Sequence, residues 1–287
     1  MNNILVINTE KQAKTKSKPL TFLMICFCLL FTFFFSLSSL ANNTSAKRLN
    51  DNNHRETKQH EEKQRVLIVI SSDSHGYWLP EVLEPYQLLQ QAGFEIDIAS
   101  PLGGKGKPSG SFRLSSAQEK WFSQSSLLEK LHNSLAIEQV KARDYQAIYF
   151  AGGSGPMFDF INNEAMHKLT ASIYQNGGIV SADCHGIAAL LNVTLESGNR
   201  LIAGKKLTAK ANHEEGRWAR NNYPFLLEDK ITELGGHYSS TTMGKPHVVV
   251  DGRLITGQNP ASAIPMAKQL IQTLLTLEST QLSDTRN

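Results

Sequence analysis

The chain has 287 residues, 40% hydrophobic and 19% charged, with 20 Gly, 10 Pro and three Cys. It is too apolar for a disordered polymer, too poor in cysteine for a disulfide framework, and shows no collagen or solenoid period, which leaves a globular chain of one or two domains. The formal net charge of +3 acquires meaning only from where along the chain it lies.

Residues 1–41 read as a targeting segment. Lys11, Lys14, Lys16 and Lys18 stand against the single acid Glu10, and Phe22 to Phe35 form an almost unbroken apolar run, a basic region followed by a hydrophobic one. Ser39-Leu40-Ala41 resembles a small-residue cleavage site, so cleavage after Ala41 and export to the periplasm or medium are expected. The alternative is an uncleaved N-terminal membrane anchor, because Leu20 to Leu40 approaches the roughly 20 residues that cross a bilayer. Four lysines and one glutamate lie in this segment, so the remainder holds 25 basic and 25 acidic side chains. The basic excess thus belongs to the targeting segment, and with no clustered Lys/Arg face nucleic acid is not an expected partner. Residues 42–64 are polar with almost nothing apolar, a flexible leader. The expected folded domain is 65–280.

From Arg65 the pattern alternates strand and helix. Val66 to Ile70 is a continuous apolar run, the signature of a strand buried on both faces of a parallel sheet. Leu79 to Ala92 has helical spacing and Gly93 closes it. Phe94 to Ala99 is a second strand, and Gly103 to Ala142 is irregular and polar, expected as an insertion near the site. Ala147 to Ala151 is a third strand, Ala165 to Gln175 a helix, and Ile179 to Ala182 a fourth strand. His247 to Val250 and Leu254 to Thr256 flank Asp251-Gly252, a hairpin signal, and Ala261 to Leu277 is a closing helix. The expected fold class is therefore α/β, with a mainly parallel sheet and helices on both faces.

Ala182-Asp183-Cys184-His185-Gly186 lies where a buried strand meets an Ala/Leu-rich helix. Small residues two before and two after a nucleophile permit a sharp strand-to-helix turn, which is a nucleophile elbow with cysteine in the serine position. A helix N-terminus there would favour thiolate over thiol. The competing reading is a buried structural cysteine, although Cys184 would be the sole thiol left after cleavage. Ala151-Gly152-Gly153-Ser154-Gly155, after the third strand, can turn tightly and present N–H groups to an oxyanion. It lacks the Lys-Ser/Thr of a phosphate-binding loop and the full G-x-G-x-x-G spacing. The histidines are scattered without short ligand spacing, so no metal site is expected.

Taken together, "GYWLPEVLEPY", "DYQAIYFAGGSGPMFDF", "GGIVSADCHGIAALL", "YPFLLEDKITELGG" and "HVVVDGRLITGQNPASA" resemble the ThiJ/PfpI superfamily, across roughly Arg65 to Leu274. The branch they look most like is that of glutathione-independent glyoxalase III and stress chaperones. The resemblance implies a glutamine-amidotransferase-like, flavodoxin-type sandwich with Cys184 as nucleophile. It places the family's buried acid at Glu81, four residues before Pro85, with Glu84 as the neighbouring candidate. It pairs His185 with Glu215, with Glu214 as the fallback, and assigns the oxyanion hole to the backbone N–H groups of Gly153 and His185. It also implies a homodimer and no cofactor.

The sequence departs from its relatives' common pattern at Ser154, Ile187 and Ala209-Lys210, where His, Pro and Gly-Phe are usual. The implied activity is conversion of a 2-oxoaldehyde such as methylglyoxal to a 2-hydroxy acid. Deglycation, cysteine peptidase activity and thiol-independent holdase activity are the alternatives on the same fold. A glutamine amidotransferase is disfavoured, because neither His237 nor His247 opens a His-x-Glu pair.

Overall fold

Val66 to Ile70 carry no exposed surface, and their side chains alternate between two cores, as a pleated strand requires. Val66, Ile68 and Ile70 enter one hydrophobic cluster, whereas Leu67 and Val69 enter the other. A strand apolar on both faces can only be central, and a sheet of such strands needs helices above and below.

The computed structural model describes residues 64–284. The targeting segment and nearly all of the leader lie outside the described residues. Among the described residues no helix is long and apolar enough to cross a membrane.

Seven strands form the main sheet: β1 (Arg65–Val69), β2 (Glu95–Ser100), β3 (Leu135–Ala136), β4 (Ala147–Phe150), β5 (Ile179–Asp183), β6 (Val248–Asp251) and β7 (Leu254–Gly257). Their order is β6-β7-β5-β4-β1-β2-β3. All neighbouring pairs are parallel except β6 with β7, the hairpin expected around Asp251-Gly252. Helix α1 (Pro80–Gln91) and the closing helix α3 (Ala263–Asp284) cover one face. Val82, Leu83 and Leu89 of α1 and Met266, Leu270 and Leu274 of α3 share one core with Ile68 and Tyr149. Helix α2 (Glu164–Gln175), N-capped by Asn163, covers the other face through Met166, Leu169 and Ile173.

Two expectations need correction. Gly103 to Ala142 is not merely an insertion. Its Leu135–Ala136 becomes the edge strand β3, and Leu127 and Leu131 are buried in the core. Pro108–Ser109 behaves as anticipated, pairing with Tyr77–Trp78 so that Ser109 and Trp78 line one cavity. The Ala/Leu-rich segment after β5 is a seven-residue 3-10 helix, Cys184–Leu190, and every residue of it is buried. A chain buried on all sides has no solvent face to set an amphipathic α-helical period.

Pro85 lies inside α1 and has no N–H to give to the carbonyl of Glu81, four residues earlier. The Tyr149 hydroxyl of β4 donates to that carbonyl instead, at 2.7 Å. The exchange fastens the Glu81 turn of α1 to the sheet. Tyr149→Phe is expected to lower the unfolding free energy by about 1–3 kcal/mol, because a buried acceptor is left unpaired. The midpoint of urea denaturation reads this directly, and an unchanged midpoint would show that the carbonyl needs no partner.

Candidate active site

Strand β5 ends at Asp183, and the chain turns at Cys184 with φ +55°, the sole non-glycine residue in the left-handed region among the described residues. Such a backbone costs roughly 1 kcal/mol for a residue bearing a Cβ. Its effect is to lift the sulfur above the carboxyl ends of β5 and β4. Gly186 must be glycine, since a Cβ there would overlap the carbonyl of Phe150.

Glu81, Cys184, His185 and Glu215 come from α1, the β5 turn and the loop after the 3-10 turn Asn212–Glu214, and the fold brings them together. His185 Nδ1 is 3.4 Å from Cys184 Sγ, and His185 Nε2 is 2.8 Å from Glu215 Oε1. An imidazole that donates from Nε2 to a carboxylate leaves Nδ1 as the acceptor, so Glu215 selects the tautomer able to take the thiol proton. The Tyr223 ring meets the His185 ring nearly edge-on at 5.1 Å and donates its hydroxyl to Ser154 Oγ at 2.9 Å. It thereby holds the imidazole plane.

Glu81 is wholly buried. Gly152 N–H donates to its Oε2 at 2.8 Å, while Oε1 has no hydrogen-bond partner, and Glu81 lines the same cavity as Cys184. Burial pushes its pKa up to about 8, against smaller opposing contributions from the Gly152 hydrogen bond, Lys210 and Cys184. Glu81 is thus a neutral acid at neutral pH. The alternatives lie elsewhere: Glu84 accepts from Gln118 at 3.3 Å, and Glu214 accepts from Gly244 N–H and Asn259.

Asp183 was not singled out as a site residue by the sequence. It is fully buried with both carboxyl oxygens unpaired, and burial, then Glu81, holds it well above the ordinary carboxylate range.

The expectation of a low-pKa thiol is not met. Cys184 is 4% exposed and opens only a short 3-10 helix. Burial pushes the thiol up, and ionised Glu81 would push further while Lys210 opposes. At rest Cys184 carries a thiol, and His185 Nδ1, 3.4 Å away, is placed to take its proton.

Gly153 has φ +113°, and a Cβ there would lie 2.6 Å from Trp78 N. Its N–H makes no hydrogen bond to any described residue. His185 is the second residue of the 3-10 helix, in the turn whose N–H groups lack intrahelical acceptors. Gly153 and His185 both line a cavity of about 360 Å³ together with Glu81, Cys184, Lys210 and Trp78, within the range of small-molecule sites. This suits the oxyanion role assigned to the two N–H groups.

Sequence reasoning gave no role to His75, Trp78, Lys210 or Tyr223. His75 and Trp78 follow β1 at the carboxyl edge of the sheet, where ligands bind in open α/β folds, and that position was an available signal. Tyr223 had none.

A profile of the DJ-1/PfpI family matches residues 64–273. The glutathione-independent glyoxalase HSP31 of Saccharomyces cerevisiae is 30% identical over 211 residues, 69% of this chain and 89% of its own. Among solved structures, the 24 kDa Rapid Encystment Protein of Francisella tularensis has a TM-score of 0.70 at 35% identity, covering 74% of this chain and 99% of its own. Glyoxalase III from Candida albicans has a TM-score of 0.68 at 26% identity, covering 73% and 97%.

Proposed function

The chain belongs to the DJ-1/PfpI family, and from that membership we propose that it is a glutathione-independent glyoxalase, converting 2-oxoaldehydes such as methylglyoxal to 2-hydroxy acids. The observation that carries the reading is the convergence of the Cys184–His185–Glu215 relay with a neutral buried Glu81 on one cavity. A relay alone would serve a peptidase. A second acid held protonated beside the nucleophile is what an internal proton transfer between adjacent carbons requires.

His185 takes the thiol proton as Cys184 Sγ bonds to the aldehyde carbon, and the Gly153 and His185 N–H groups hold the oxyanion. His185 returns the proton to that oxygen, giving a hemithioacetal. His185 then removes the hydrogen of the former aldehyde carbon while Glu81 donates its proton to the ketone oxygen, which gives an enediol. His185 delivers its proton to the former ketone carbon as Glu81 recovers one from the other hydroxyl, leaving a thioester. Water hydrolyses it, releasing the 2-hydroxy acid and restoring the thiol. One carbon is oxidised, its neighbour is reduced, and no external electron carrier enters.

The test is lactate formation from methylglyoxal in glutathione-free buffer. Turnover that appears only when glutathione is added would overturn the reading. In the same assay Glu215→Gln, which keeps an acceptor for His185 but removes its charge, is expected to lower kcat by about 10²-fold with a smaller change in KM. An unchanged kcat would remove Glu215 from the relay.

A further inference from the structure

The cavity has one cationic feature that the glyoxalase chemistry leaves unused. The backbone N–H of Lys210 donates to the carbonyl of Cys184 at 3.4 Å, which ties this residue to the nucleophile's own turn. Its side chain lines the same cavity as Cys184, Gly153 and Glu81 and is 17% exposed. The ammonium is ion-paired with Glu214 Oε2 at 3.3 Å, and no second side-chain acceptor among the described residues engages it. Glu214 is itself 2% exposed, with its other oxygen committed to Gly244 and Asn259. Neither Glu214 nor Glu215 is among the residues lining the cavity.

The charge presented to a ligand is therefore that of the ammonium, with its counterion behind it. Glu81, the acid that does line the cavity, is neutral below about pH 8. A half-buried ammonium has three donors, of which Glu214 can occupy one, so an anionic oxygen arriving on its other side forms a charge-assisted hydrogen bond. The cavity, at about 360 Å³, has room for a chain longer than three carbons. One side of the ammonium already faces Glu214, so a monoanion fits better than a phosphate dianion.

We infer that the cavity selects 2-oxoaldehydes bearing a carboxylate on the chain beyond the ketone, with the Lys210 ammonium holding that carboxylate, a specificity that presupposes glyoxalase chemistry at Cys184. For 4,5-dioxopentanoate and water the product is 2-hydroxypentanedioate, with the aldehyde carbon oxidised and the ketone carbon reduced as for methylglyoxal.

Two measurements test this specificity. The first is the ratio of kcat/KM for 4,5-dioxopentanoate to that for methylglyoxal in wild type, Lys210→Met and Lys210→Arg. Both substrates react at the same thiol, so any effect of Lys210 on Cys184 ionisation cancels in the ratio. Lys210→Met is expected to lower the ratio about tenfold, mainly through KM of the anionic substrate, as loss of one charge-assisted hydrogen bond does. Lys210→Arg should keep the ratio within about threefold, since it retains the charge. A ratio unchanged in Lys210→Met overturns the assignment.

The second measurement needs no turnover. At pH 7 the rate of Cys184 alkylation by iodoacetate, relative to neutral iodoacetamide, should fall about tenfold in Lys210→Met, and in Lys210→Gln should methionine impair folding. An equal relative rate in wild type and both variants overturns the carboxylate site. If no dicarbonyl is turned over but the alkylation preference holds, the glyoxalase reading fails and the carboxylate site stands.

Discussion

Cys184→Ala is expected to reduce glutathione-independent methylglyoxal turnover by at least about 10³-fold, because every covalent step of the proposed reaction passes through the sulfur. The fold should survive. Alanine keeps the Cβ that the φ +55° backbone already accommodates, and the lost sulfur sits at the cavity rather than in close-packed interior. The change in unfolding free energy should stay within about 1 kcal/mol. Turnover of the variant within tenfold of wild type would show that the thiol is not the nucleophile. Suppression of aggregation, measured on the same two proteins, separates a holdase from an enzyme, since binding of apolar surface needs no thiol.

Glu81→Gln should move activity and stability in opposite directions. Without a dissociable proton, residue 81 cannot feed the ketone oxygen, and kcat is expected to fall by about 10²–10⁴-fold. For stability the sign follows from proton binding. The carboxyl titrates near its ordinary 4.5 in the unfolded chain and at about 8 in the fold. Between those values the folded protein keeps a proton that the unfolded chain has released, so stability declines as pH rises through that window. Glutamine is neutral in both states and removes this contribution. Its amide oxygen can still accept from Gly152 N–H. At pH 7 the variant is expected to be more stable by on the order of 3 kcal/mol, with a flatter dependence of Tm on pH between 5 and 8. Some slope should remain from Asp183, which is raised in the same sense. A variant less stable than wild type at pH 7 would mean that Glu81 is ionised in the fold. The wild-type rate should itself decline above about pH 8 as Glu81 loses its proton.

The central strands were legible because their residues answer to one requirement, burial on both faces, which a run such as Val66 to Ile70 declares without reference to anything distant. The elbow was legible for a related reason: a sharp turn needs small residues at fixed positions around Cys184. The segment 103–142 was not legible. Its β3 is two residues long and exists only because β2 offers an unpaired edge, and no local pattern encodes a partner's edge. The helical form of Cys184–Leu190 was misjudged because uniform burial removes the periodicity from which a helix type is read.

Local pattern was enough for the layered α/β architecture and for the elbow at Cys184, and the family resemblance for expecting His185 beside Glu215 and Glu81 in the interior. Tertiary structure alone decided the ionisation of these groups. The turn at Cys184 suggested a thiolate, but charge depends on the solvent and charges around a group, and those are supplied by residues dozens of positions away. Packing excludes water from Cys184, Glu81 and Asp183 together, which holds a thiol and two acids neutral, and it brings Lys210 to the wall of the same cavity.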